Sequence, residues 1–434
     1  MYIAPKPPIP AEPLPFRQFF RAIRANALTS WPEAAYEQPI LRRNLFGRTN
    51  LLLNEPDAIH RVLVENPGNY RRSPAALRIL RPIAGQGLLL SEGDTWRLQR
   101  RTIAPALAPR VMPMLIRHIE ATTAEAMDAL AQRIGGPVDL LTEMQNLTLE
   151  IAGRSMFSLE MQRYGAEMRR MLTEYAAGHA RPSMMDLVLP PSIPTWGDVG
   201  RKRFQRRWMA LVESIVRDRL AAPPSDTPRD LFDLLRAARD PETGIGFSPD
   251  ELRDQVATLI LAGHETTAVT LFWALTLLAL VPETQDALAA DPTGPLSRAV
   301  VHESMRLYPP AYLIVREALG PDRVGEDRIG RRDVVMIAPW VLHRHRQLWR
   351  DPDAFDPARF LPGTPPPPRF SYLPFGAGPR ICVGAQFALT EATLVLSAVI
   401  GRFSVVLDSD RPVLPVGIVT TQPDHAPAFR LSRR

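Results

Sequence analysis

FGAGPRICVG, residues Phe375 to Gly384, holds the only cysteine in a chain of 434 residues. Gly376, Gly378, Pro379 and Gly384 are loop chemistry. The apolar run that follows, AQFALTEATLVLSAVI, reads as a helix. A cysteine just ahead of a helix is offered backbone N–H groups and the positive end of the helix dipole, and both favour the thiolate. Three fates stay open at this point: a small apolar side chain, a nucleophile, or a metal ligand. A nucleophile wants a histidine base, and none lies between His345 and His425 in the sequence.

Working outward, the composition is 45% hydrophobic and 23% charged, ordinary for a globular enzyme with a large core. One cysteine forms no internal disulfide. The net charge of +6 comes almost wholly from arginines interleaved with 46 acids, lysine occurring only at Lys6 and Lys202. That pattern argues against a nucleic-acid-binding tract. Residues 1–16 form a proline-rich arm with no apolar signal core and no anchor-length run, so an extended arm and a cytoplasmic protein without a membrane anchor are expected. The arm and the rest of the chain, 1–434, read as a single large domain.

The middle of the chain has helical spacing at Val111–Gln132, Val138–Phe157, Glu160–Ala177 and Gly200–Ala221. Strand signals are fewer: TNLLLN and AIHRVLVEN (residues 58–66) early, VVMIAPW and FSVVL late. The proline-rich stretches at 221–228 and 361–370 read as loops. The fold class is therefore mainly α with small β-sheets.

One helix stands apart. QVATLILAGHETTAVTLFWALTLLALV, Gln255 to Val281, has His264 and Glu265 as its only ionisable groups. Ser248, Pro249 and Glu251 predict its capped start. A polar cluster at its midpoint points to a buried core helix rather than a membrane span. Gly263 in a helix interior costs about 1 kcal/mol against alanine and needs a reason. Glu265 beside Thr266 and Thr267 is proton-relay material, unless the hydroxyls simply bond back to carbonyls one turn earlier.

A thiolate in a glycine-bordered loop also suits an axial haem ligand. FGAGPRICVG resembles the haem-ligand signature of the cytochrome P450 superfamily, with Phe375, Gly378, Arg380, Cys382 and Gly384 at every specified position. Further blocks follow the family's order: WRLQR (96–100), AGHETT (262–267), ESMR (303–306) and FDPARF (355–360). Ala358 departs from the glutamate common there. The resemblance implies the cytochrome P450 fold, haem b bound through Cys382, and a monooxygenase that inserts one oxygen atom from O2 into a hydrophobic small molecule. It places Trp96, Arg100, Arg316 and Arg380 at the propionates, Phe375 and Gly376 beside the sulfur, and Ala262 and Gly263 along the haem and O2 site. Glu265 and Thr266 deliver protons, and Glu303, Arg306 and Arg359 form a structural charge network. Peroxide-using relatives and a non-catalytic haem sensor are the rival readings, and the acid–hydroxyl pair argues against both.

With a single cysteine there is no cluster site, so electrons are expected from a separate ferredoxin or flavodoxin-type partner, steered by Arg97, Arg101 and Arg110. The pocket walls are expected around Leu88–Leu90, the 181–189 segment, Ala311–Ile314 and Ile418–Val419. A monomer is expected.

Overall fold

The central helix begins where Ser248 caps it and runs from Pro249 to Leu280. Ser248 Oγ accepts from the Glu251 N–H while Glu251 accepts from the Ser248 N–H at 2.9 Å, which completes the capping box. Leu271, Phe272, Trp273 and Leu275 are fully buried. Its length and composition would suffice to cross a membrane, but 72% of its most apolar window is buried inside the protein. This is the core helix of the fold. The structure is a computed structural model that describes residues 2–434 apart from 46, 159–162, 191, 222 and 224–226.

Helices Leu140–Phe157, Ala385–Arg402 and Trp196–Ala221 pack against the central helix, and Met112–Ala131 packs on the first two of them. One apolar cluster extends from Ala4 to Leu431. The helix expected over Glu160–Ala177 is observed at Gly165–Glu174 and continues as a wider turn over Tyr175–His179; residues 160–162 lie outside the described part. Half of the proline-rich stretch 221–228, residues 222 and 224–226, lies outside it as well.

The largest sheet has five strands, in the order Ile40–Leu45, Arg48–Leu53, Val334–Ile337, Ile314–Ala318 and Tyr70–Arg72. Arg48–Leu53 and Val334–Ile337 run parallel, and the other neighbours are antiparallel. The expected strand at 58–66 is instead a helix, Pro56–His60, followed by a π-type turn, Arg61–Glu65. Pro56 sits at the first helical position, and buried Ala58, Ile59, Val62 and Leu63 share one helical face rather than alternating.

The N-terminal arm lies extended over the body. Tyr2–Ile3 pairs with Ala354–Phe355, and the Tyr308 hydroxyl donates to the Pro5 carbonyl at 2.8 Å. The segment before Leu88 is pinned on the central helix: the Leu88 N–H donates to Gln255 Oε1 at 2.9 Å, and Thr258 Oγ1 donates to the Ala84 carbonyl at 3.0 Å. A Cβ on Gly87 would meet Thr258 Oγ1 at 2.3 Å and the Asp254 carbonyl at 2.6 Å, so only glycine allows this approach.

Candidate active site

The cysteine loop is built on glycine. Gly376 and Gly378 have φ of 73° and 70°, left-handed values that favour glycine. A Cβ on Gly378 would come 1.9 Å from the Leu63 carbonyl oxygen, so the loop lies backbone to backbone on the 61–65 turn. The Cys382 N–H donates to the Phe375 carbonyl at 2.9 Å and closes the loop. Gly384 caps the helix beginning at Ala385. Cys382 is accessible, yet enough protein surrounds it to desolvate its thiol. Burial pushes its thiol up, and the Gly384 N–H and the Arg100 charge only partly oppose this. The helix start alone thus does not make a thiolate here; a cation bound to the sulfur would.

A second accessible point interrupts the core at Ala262, on the central helix that packs against helix Ala385–Arg402. Thr266 Oγ1 donates to the Ala262 carbonyl at 2.6 Å and Thr267 Oγ1 to the Gly263 carbonyl at 3.0 Å. The bond-back geometry is therefore present; it uses the Thr266 hydroxyl proton and leaves the oxygen able to accept. The open side of Gly263 faces Met156, whose Cε would be 3.1 Å from an added Cβ. That glycine permits close packing of helix Leu140–Phe157, a different neighbour from the O2 site expected for it.

Glu265 is the acid of this helix. Burial pushes its carboxyl up to about 7, against a hydrogen bond from Gln422 Nε2. His264 beside it is buried and pushed down to about 4, by burial and then by the Arg169 charge, so it is neutral near pH 7.

Arginines ring the cysteine loop. Arg100 Nη1 donates to the Ile381 carbonyl at 2.9 Å. Arg380 lies over the Trp96 ring at 4.4 Å, and it is already engaged: Nη2 meets Glu92 Oε2 at 2.7 Å and Nη1 donates to the Ser91 carbonyl at 3.0 Å. Arg316 is less engaged. Its guanidinium makes one hydrogen bond among the described residues, to the Val315 carbonyl at 3.0 Å. Directly opposite it in the sheet stands Arg72, a residue not anticipated from the sequence. Like charges in cross-strand register are destabilising. Burial first and neighbouring arginines second push Arg72 down to about 9 and Arg316 down to about 10.

Glu92 is the carboxylate that acts on these three guanidinium groups. The cluster therefore carries positive charge that the chain itself does not balance. One sulfur donor beside arginines short of two carboxylates fits iron protoporphyrin IX with its two propionates.

Behind the loop, Glu303, Arg306 and Arg359 come together. Both arms of Glu303–Arg306 are 2.7 Å, with both side chains fully buried. Burial pushes the Glu303 carboxyl up, while Arg306, the Asp356 N–H and Arg359 pull it back. Arg359 Nε is 3.7 Å from Glu303 Oε1. Of the cations expected to steer a partner, Arg101 is not free: it pairs with Asp240 at 2.8 Å and Glu242 at 3.0 Å. Arg97 pairs with Asp94, and Arg110 is exposed.

Comparison with known proteins agrees with this construction. The family model described as "Cytochrome P450" matches residues 8–425. The chain is 34% identical over 369 residues to the "Cyclooctatin synthase" of Streptomyces melanosporofaciens, covering 80% of this chain and 79% of that protein. It is 29% identical to the "Cyclooctat-9-en-7-ol 5-monooxygenase" of the same organism, covering 80% and 78%. The crystal structure of the cytochrome P450DA heme domain superposes with a TM-score of 0.84 at 23% identity, over 100% of this chain and 99% of that one. A family match reaching across nearly every residue leaves one assignment: this chain belongs to the cytochrome P450 family, and it is a monooxygenase whose cofactor is haem b.

Proposed function

We propose that the chain hydroxylates a hydrophobic small molecule, using electrons from a separate acidic iron–sulfur or flavin protein, with Cys382 as the iron ligand. Bound haem supplies O2 binding and activation; one oxygen atom enters the substrate and the other leaves as water with two electrons and two protons. Arg72 and Arg316 receive the propionates, with Arg100, Trp96 and Arg380 holding the loop beside them. Leu88, Met184, Met185, Ile314, Ile418 and Val419 form apolar walls around the substrate. The relative named for oxidising cyclooctat-9-en-7-ol supports an alicyclic substrate of that kind. Arg110 and Arg97, whose pair with Asp94 is exposed, face the electron donor, while Arg101, held by the buried Asp240, serves structure instead.

The observation that carries the reading is Glu265, a half-buried acid brought to about 7, one residue before a hydroxyl whose proton is used within the helix and whose oxygen can still accept. Such a carboxyl exchanges protons with solvent at neutral pH, and Thr266 holds a water that takes each proton and passes it on. Thr266→Ala should keep haem and lose roughly tenfold in product per electron, where positioned proton donors contribute ~10²–10⁴-fold. Product and peroxide are counted against consumed reductant. An undiminished product yield per electron in Thr266→Ala removes the relay.

A further inference from the structure

Gln422 lies in the strand Thr421–Pro423, which pairs with Pro415–Gly417 so that Val416 faces Gln422. The hairpin is tied down on every side. Trp273 Nε1 donates to the Thr421 carbonyl at 2.8 Å, and Thr421 Oγ1 donates to the Pro309 carbonyl at 2.6 Å. Asn26 accepts from the Gly417 N–H and donates to the Pro415 carbonyl, both at 2.9 Å. Trp273 stands eight residues beyond Glu265, about 12 Å along the same helix. The hairpin is thus stitched to the central helix at Trp273 and again at Glu265.

Both protons of the Gln422 amide are used: one goes to Glu265 Oε1 and the other to Thr420 Oγ1 at 2.8 Å. A charged carboxylate only accepts, so in that form the amide nitrogen is the end that faces the helix. Among the described residues no arginine or lysine from any packed element comes within ion-pair distance of Glu265. The titratable neighbour is His264, whose Nδ1 is 3.9 Å from Glu265 Oε2 on the same helix. Gln422 is the hydrogen-bond donor to this carboxyl among the described residues. We infer that Gln422 is the positioning residue for Glu265: its amide, delivered by the Pro415–Pro423 hairpin, holds the carboxyl in one orientation and supports its charged form without supplying a cation.

An amide in this place has a consequence that a lysine or arginine would not have. It donates to the charged form but adds no full positive charge, so the acid stays able to both take and release a proton near neutrality. The inference rests on the relay reading above, and its test reads Glu265 directly. In the haem-loaded enzyme, infrared difference spectra against pH follow the protonated-carboxyl band that disappears in Glu265→Gln. Gln422→Leu should move its midpoint upward by about one to two pH units, the effect of one hydrogen bond to a charged group. Gln422→Lys should move it downward, and this variant serves if the leucine one does not fold. A midpoint unmoved by both substitutions overturns the role of Gln422, whatever the relay does. If the midpoint moves as expected but product per electron ignores it across the same pH range, Gln422 keeps its role and the relay reading falls.

Discussion

Behind the cysteine loop, Arg306 uses all five of its N–H donors. Two go to Glu303, and one each to the carbonyls of His343, Pro352 and Ala354, at 2.7–2.9 Å. Beside the loop, Arg316 has one hydrogen bond to a neighbouring carbonyl, and Arg72 Nε has none although it is buried. Both groups hold guanidinium charge away from bulk water, but every N–H of Arg306 is hydrogen-bonded, whereas Glu92 lies 3.8 Å from Arg72 Nε and is shared with Arg316 and Arg380. A buried charge that the chain does not satisfy persists only where a bound group supplies the acceptors. On this contrast we propose that the sealed cluster is structural and the unbalanced one is the propionate site.

Substitutions should separate the two sharply. Arg306→Ala leaves Glu303 charged in a sealed interior and should cost about 3–5 kcal/mol, the penalty for breaking a buried pair. The expected result is little or no soluble haem-loaded protein, and a urea midpoint far below wild type in whatever folds. Arg306→Lys should fail nearly as badly, because an ammonium cannot reach five acceptors in that fork. Arg316→Leu should behave in the opposite way. Its far-UV circular dichroism should match wild type, since removal relieves cross-strand repulsion with Arg72. Haem should leave about 10- to 100-fold faster in a transfer assay to apomyoglobin, as one charge-assisted contact is lost. A destabilised Arg316→Leu with unchanged haem loss would erase the distinction between the clusters.

The same contrast explains what was legible in the sequence. Glu303 and Arg306 are three residues apart on one helix, and the cysteine loop lies within ten residues, so local spacing exposes both. The central helix was equally plain, because its cap, its apolar length and its terminating Pro282 are contiguous. Arg72 and Arg316 are brought together by strand register across 244 positions, and YRRS carries no spacing that announces it. Gln422, between a threonine and a proline, is equally silent until the hairpin lays it on Glu265. The strand expected at 58–66 failed for a different reason. Its apolar content suggested a strand, but Pro56 and the helical spacing of Ala58, Ile59, Val62 and Leu63 favour a helix, and the Gly378 backbone then lies against its turn.

A third buried charge cluster, around Asp186, belongs to neither class. Asp186 takes both arms of Arg201 at 2.8 Å, with Arg78 at 3.8 Å. Arg78 also donates to the Pro190 and Ile193 carbonyls at 2.7 Å. The cluster is satisfied, as at Arg306, but its members come from three separate segments: the helices Pro74–Ala84, Met184–Val188 and Trp196–Ala221. It ties the short Met184–Val188 helix, a proposed substrate wall, to its neighbours rather than holding the core. Burial raises the Asp186 carboxyl, but Arg201 and Ser183 outweigh it and hold it down to about 2. A depressed carboxyl contributes stability that is complete above its unfolded value near 4 and lost as pH falls through its folded value. Asp186→Asn should therefore show its full deficit at neutral pH, and the gap to wild type should close between about pH 4 and 2. Because the cluster spans a wall and not the core, hydrogen exchange should speed up chiefly over residues 184–188, with little change in the central helix. Equal loss of protection in both places would make this cluster a second core lock, like that of Arg306, and not a local tie.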